Sequence, residues 1–366
     1  MALSQEGRNY GIDALRIVSM WMVVILHILD QGGILSRLTL FSAKYEAAWF
    51  LETMAYCAVN CYALISGYVG LYSKFKPSNL FYLWFEVFFY SILISLGFAL
   101  ILPKSVGLKE LLTAFFPVMT DQYWYFTAYF ALFFFTPFLN YLIKSLPKKY
   151  AIQLVVSLMV IFSVIPTLRH DDVFYTKYGY SVIWLAILYI IGAYVKKYGV
   201  HESFNNKWFA LYMVFVIVSW GVRWPIEALT NWKMGEPHMG HYLTEYTSPT
   251  IVGSAFALFM MFSNMKIDSK QLRRIISSLA PLSFGIYLIH THPLVWDYLL
   301  NKHFIAYADK SLIACVILVL ITAVCIVIAC MGIDAIRKKL FDVFRVRKYC
   351  DYLQQRMVYS WNRLFE

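Results

Sequence analysis

The stretch Tyr10-Gly-Ile-Asp-Ala-Leu-Arg-Ile-Val-Ser-Met-Trp-Met-Val-Val-Ile-Leu-His27 decides the fold. It is apolar over about the length needed to cross bilayer hydrocarbon, yet it carries Asp13, Arg16 and His27. Ionisable groups are costly in lipid, so a segment that keeps three of them marks a functional site rather than a plain anchor. On a helix the step from Arg16 to His27 covers about three turns and a rise of roughly 16 Å, which sets both side chains on one face at different depths. Asp13 lies three residues before Arg16, where its carboxylate can hold the guanidinium.

The composition of this helix continues through the chain. Of 366 residues, 60% are hydrophobic, 19% aromatic and only 14% charged, and mean hydropathy is +0.60. Those values exclude a soluble globule and describe a polytopic membrane protein. Apolar windows of spanning length recur at 12–29, 47–71, 79–102, 123–143, 151–167, 180–195, 208–224, 247–263, 280–299 and 311–333, and predict an all-α bundle of about ten transmembrane helices.

An even number of spans puts both ends on one side. Lys and Arg favour the loops of that side roughly two to one, through Arg8, Lys74, Lys76, Lys144, Lys148, Lys149, Lys196, Lys197, Lys207, Lys266, Lys270, Arg273, Arg274 and the tail. Both termini are therefore expected in the cytoplasm. The net charge of +11 follows from this topology, and no nucleic-acid partner is expected. No small-residue cleavage site follows Gly33, so the first segment is expected to stay as a helix. The six cysteines lie mostly inside apolar runs, without the spacing of a disulfide framework or a zinc site.

Two parts are expected: a helical membrane domain over 1–333, and a basic amphipathic tail over 334–366 lying on anionic lipid at the inner surface. The outside loop from Arg223 to Glu245, with Glu227, Glu236, His238, His241 and Glu245, is expected either to cover the acceptor side or to stand as a solvated loop.

Four motifs occur in order along the chain. Arg16 and His27 are separated by ten residues; the second span ends Val59-Asn-Cys-Tyr-Ala-Leu-Ile-Ser-Gly-Tyr68; the fourth opens Asp121-Gln-Tyr-Trp-Tyr-Phe-Thr-Ala-Tyr129; the ninth reads Ser283-Phe-Gly-Ile-Tyr-Leu-Ile-His-Thr-His-Pro293. Together they resemble the acyltransferase-3 family of bacterial membrane proteins, which O-acylate polysaccharides and other surface glycans. The likeness runs from Asn9 to about residue 333.

The resemblance implies an acyl-CoA donor, usually acetyl-CoA, a glycan hydroxyl as acceptor, and a place in the bacterial inner membrane. His27 is then the catalytic group, as general base or as a covalent acyl relay, with Asp13 counted beside it through its hold on Arg16. The Arg16 guanidinium offers a planar fork for a CoA phosphate. Many members carry arginines at the start of the third helix; this chain does not, and Lys74 and Lys76 are expected to take over that attraction. Glu52, Ser66, Tyr68, Glu86, Trp124, Tyr287 and His290 are the candidate substrate-binding residues. Ser66 also suits close helix packing, and Trp124 suits either an interfacial belt or a platform for sugar. Either Glu52 or Glu86 is placed to orient His27.

No metal is expected. His290 and His292 are two residues apart and share no helical face. The rival class is a transporter or flippase for a lipid-linked sugar, with Pro137, Pro166, Pro249 and Pro281 as marks of broken helices. Carriers commonly show repeats between halves, and residues 1–167 and 180–333 show no convincing self-similarity.

Overall fold

Short polar side chains start the helices that matter. Asn9 accepts from the Ile12 N–H at 3.1 Å, Ser42 from Tyr45 at 3.2 Å and Ser181 from Trp184 at 3.3 Å, each satisfying a backbone donor that the first turn leaves open. The computed structural model describes residues 8–200, 207–235 and 242–365. Among these there is no strand.

The helices are α1 (Tyr10–Leu29), α2 (Ile34–Arg37), α3 (Ala43–Tyr56), α4 (Ala58–Gly70), α5 (Pro77–Ile101), α6 (Leu108–Phe115), α7 (Trp124–Ser145), α8 (Lys148–Met159) and α9 (Ile165–Arg169). They continue as α10 (Val182–Tyr198), α11 (Trp208–Met234), α12 (Pro249–Ser263), α13 (Lys270–Leu279), α14 (Ser283–His290), α15 (Pro293–Val295), α16 (Leu312–Val343) and α17 (Val346–Phe365). Among the described residues, eight helical stretches are long and apolar enough to cross a membrane. The windows at 180–195 and 247–263 form the shorter α10, of 17 residues, and α12, of 15. The protein is a polytopic helical membrane bundle.

Helix α1 runs through the middle, packed on α3, α4, α12, α14 and α16. That position explains how its charged groups are tolerated: neighbouring helices, not lipid, surround them. Peripheral helices turn bulky apolar side chains outward, among them Phe134 and Phe138 on α7, Ile217 on α11 and Ile328 on α16. At the α4–α10 contact, a Cβ on Gly67 would lie 1.9 Å from the Tyr189 carbonyl oxygen, and one on Gly192 2.0 Å from that of Leu64. The glycine of the Ser66-Gly67 motif therefore serves close helix approach.

Hydrogen bonds between helix ends sort them into two faces. At one, Asn9 donates to the Ser263 carbonyl at 2.7 Å, and Lys197 to the carbonyls of Ile143, Lys144 and Leu146. This is the basic face. At the far face, Lys44 donates to the carbonyls of Ala308 and Lys310, and the Lys302 N–H to that of Gln31.

Three segment boundaries differ from the sequence expectation. Helix α11 continues ten residues past 224, so Arg223 and Glu227 are not in a loop. Both are buried, and Arg223 pairs with Glu227 and Glu46 while Glu227 also accepts from the Tyr45 hydroxyl; pairing with opposite charge is what lets these groups stay in the helix. Helix α16 likewise runs through residue 333 to Val343, so the expected division at 333 falls inside a helix. There Arg337 pairs with Asp334 at 2.8 Å and Glu86 at 2.9 Å. The ninth window breaks after His290, where Pro293 opens a separate turn. Glu236, His238 and His241 lie outside the described residues.

Candidate active site

Near the end of α1, His27 meets His290 at the end of α14. Their Nδ1 and Nε2 atoms are 3.0 Å apart, and His290 Nδ1 lies 2.5 Å from the Ile286 carbonyl oxygen. A carbonyl only accepts, so the His290 proton sits on Nδ1. With both rings uncharged, His290 Nε2 is an acceptor, and His27 must donate to it from Nδ1. The lone pair of His27 is thereby fixed on Nε2. Trp296 stands edge-on against the His27 ring, with centroids 4.7 Å apart.

His27 lines a cavity of about 340 Å³ whose other walls are mainly aromatic: Tyr62, Tyr123, Trp124, Tyr125, Tyr246, Phe284, Tyr287 and Trp296. Its polar groups include Gln122, Thr291 and Asp297, and among the described residues no Lys or Arg lines it. Trp124 stands 4.5 Å from Tyr180 and 6.2 Å from Tyr246, the latter pair nearly parallel. The Tyr287 hydroxyl accepts from the Tyr125 N–H at 3.2 Å, which ties α14 to the start of α7.

Glu245 directly precedes the wall residue Tyr246 in the segment before α12. Burial, then the nearby Asp172 carboxylate, pushes its carboxyl up to about 7.

Towards the basic face a second cavity, about 360 Å³, is lined by Arg8, Asp13, Arg16, Ser66 and Tyr129 among others. Asp13 is buried and gives one oxygen to Arg16 Nη1 at 2.6 Å and the other to Arg8 Nε at 2.5 Å. Two cations share one carboxylate, so the cluster keeps a net positive charge. The Arg16 side chain remains 29% exposed, enough for its unbonded guanidinium edge to meet a ligand.

Arg16 and His27 thus do not line one common cavity, as a shared helix face suggests. They line two, with Tyr62, Tyr125 and Phe284 common to both walls. Side chains from α4, α7 and α14 form this partition, and helix periodicity in α1 carries no information about them.

The other expected residues separate clearly. Trp124 and Tyr287 line the aromatic cavity, and His290 stands behind His27. Ser66 lines the arginine cavity while its hydroxyl donates back to the Tyr62 carbonyl at 2.8 Å. Tyr68 faces the basic surface, with Lys196 Nζ 4.6 Å above its ring. Lys74 and Lys76 are exposed in the α4–α5 link and line neither cavity.

Neither carboxylate proposed to orient His27 does so. Glu86 is bound to Arg337, within a cluster that also holds Asp334, Tyr82 and Tyr90. Glu52 is buried, lines neither cavity, and has one carboxylate oxygen without a hydrogen-bond partner among the described residues. The orienting group is an imidazole from 263 residues away in sequence.

Sequence reasoning missed Trp296, Asp297, Tyr123 and Tyr246 in the aromatic cavity, and Arg8 in the other. For Arg8 the signal was present: it lies five residues before an acid already singled out.

A family model described as an acyltransferase domain, that of the acyltransferase-3 family, matches residues 9–330. The chain belongs to that family. No curated protein and no solved structure matches it. The matched range takes in the whole of α1, the aromatic cavity and all the lining of the arginine cavity except Arg8, so this membrane acyltransferase holds Asp13, Arg16 and His27 within the family domain, while the buried Asp334 and Arg337 lie beyond it. No cluster of three or more His, Cys, Asp or Glu able to hold a metal occurs among the described residues.

Proposed function

We propose that this acyltransferase transfers an acyl group, most simply acetyl, from acyl-CoA at the basic face to a hydroxyl of a surface polysaccharide or lipid-linked glycan entering from the far face. The observation that carries this reading is the His27–His290–Ile286 chain, which leaves one unshared imidazole nitrogen at the wall of an aromatic cavity.

The chemistry follows from the tautomer. His27 Nε2 takes the proton of the acceptor hydroxyl as its oxygen attacks the thioester carbonyl. The C–S bond then breaks, and the imidazolium returns its proton to the departing CoA sulfur. Throughout, His290 Nε2 accepts from His27 Nδ1 and stabilises the transient positive charge, a role usually given to a carboxylate. Trp124, Tyr180 and Tyr246 supply flat faces against which a sugar ring packs.

Arg16 anchors a phosphate of the donor, and the Asp13 carboxylate keeps its fork in place. The acyl arm reaches the aromatic cavity past Tyr62, Tyr125 and Phe284. With the basic face in the cytoplasm of a bacterial inner membrane, donor and acceptor approach from opposite sides.

The test is radiolabelled acetyl-CoA presented to the purified full chain with surface polysaccharide. Label entering glycan in the wild type and lost in His27→Ala supports the reading. Normal turnover in His27→Ala removes it, and so does movement of lipid-linked sugar without label transfer.

A further inference from the structure

Beside the arginine cavity, and sharing Arg8 with it, a larger cleft of about 620 Å³ opens on the basic face. Its walls come from the start of α1, the ends of α4 and α10, the α12–α13 link and the first turn of α13. Four cations line it: Arg8, Lys196, Lys266 and Arg273. The only carboxylate among its described lining residues is Asp268, which lies 3.6 Å from Arg273 and is 92% exposed. Lys196 and Lys266 pair with no carboxylate among the described residues. Two phenol rings sit beneath the charges, with Arg273 5.4 Å and Arg8 5.9 Å from the Tyr10 centroid, and Lys196 4.6 Å from that of Tyr68.

Concentrating like charge in a concave site is unfavourable unless a ligand of opposite sign occupies it. Several cations set around flat aromatic faces suit a phosphorylated nucleoside, whose phosphates take the charge-assisted bonds while the base packs on a ring. The volume falls in the range of cofactor sites. Because Arg8 belongs to both cavities, a ligand held here leads directly to Arg16.

We infer that this cleft binds the phosphorylated adenosine end of acyl-CoA through Lys196, Lys266 and Arg273, in place of Lys74 and Lys76. The inference rests on the acyl-CoA donor reading and extends it to the part of the donor farthest from the thioester. Tyr68 then belongs to the donor end, not to the acceptor.

The test titrates CoA and dephospho-CoA, which lacks the 3′-phosphate, into the full chain held in phosphatidylcholine nanodiscs. Wild type is compared with Lys196→Ala/Lys266→Ala and with Lys74→Ala/Lys76→Ala. Both lysines of the first pair are exposed, so folding is retained and is checked by the melting temperature. The Lys196/Lys266 variant is expected to bind CoA at least roughly tenfold more weakly and to lose most of the preference for CoA over dephospho-CoA. The Lys74/Lys76 variant is expected to bind as wild type does.

CoA binding unchanged in the Lys196/Lys266 variant, or lost in the Lys74/Lys76 variant instead, overturns the site while leaving the donor reading intact. Wild type that binds no CoA overturns the donor reading itself, and this site with it. A lipid headgroup offers the same phosphate chemistry. Phosphatidylglycerol retention that depends on Lys196 and Lys266, alongside CoA affinity indifferent to both, assigns the cleft to lipid and overturns the proposal.

Discussion

The two cavities on α1 are nearly equal in volume and opposite in character. One, around His27, is walled by tyrosines and tryptophans and is entered by no cation; the other, around Arg16, is built on a carboxylate shared by two arginines. One helix serves both because its two ends lie at different depths. The aromatic cavity presents an imidazole whose Nε2 is left free to take a proton, whereas the arginine cavity holds a fixed positive charge that needs an anion. The contrast separates chemistry from anchoring, and it makes the two ends of α1 separable by mutation.

The largest expected effect falls on the aromatic side. His27→Ala should lower acyl transfer by roughly a hundredfold to ten-thousandfold, the usual worth of a positioned base, while CoA affinity measured by titration stays as in wild type. A parallel loss of CoA binding would erase the distinction between the cavities.

His290 sharpens the same side. His290→Phe should lower kcat by roughly tenfold to a hundredfold, a part of the base's contribution, without raising the KM for glycan. His290→Gln keeps an acceptor for His27 Nδ1 and should recover much of the rate. Equal loss in both variants would mean that ring packing, not the hydrogen bond, is what His290 supplies.

On the arginine side, Arg16→Ala should raise the KM for the acyl-CoA donor by about tenfold and change kcat less, the signature of lost binding that ground and transition states share. Steady-state kinetics with varied donor would show it. A fall in kcat alone would move Arg16 into the chemistry.

The smallest effect concerns Glu245, the chain neighbour of the cavity residue Tyr246. Because the Glu245 carboxyl is pushed up to about 7 in the folded protein, the unfolded chain releases this proton first as pH rises from about 4.5. Folding stability contributed by this group is therefore full below that pH and declines towards pH 7. Glu245→Gln should flatten that part of the stability profile, as followed by thermal melts across the pH range. A slope unchanged by the substitution would locate its cause elsewhere.

Much of the site was legible in α1, because charges inside an apolar run are few and expensive. Asp13 holds Arg16 as the three-residue spacing indicates, and the helix runs almost as the hydropathy windows mark it. Partners contributed by distant helices were not legible. His290 and Tyr287 were visible as candidate substrate-binding residues of the ninth span, yet nothing in their spacing distinguished His290 from Glu52 or Glu86 as the neighbour of His27. Arg223 and Glu227 were misplaced for a related reason: a charged Trp-Pro-containing segment reads as loop unless the pairing that neutralises it is known.

By itself the sequence determined the membrane bundle, the family signature and the residues of α1 that cannot be there for packing alone, since the cost of charge in lipid and the period of a helix are local properties. The tertiary structure alone decided which nitrogen of His27 is left free, that Tyr62, Tyr125 and Phe284 divide its cavity from that of Arg16, and that basic residues from three parts of the chain converge on one cleft. Those outcomes depend on side chains brought together across hundreds of residues, where no spacing rule reaches.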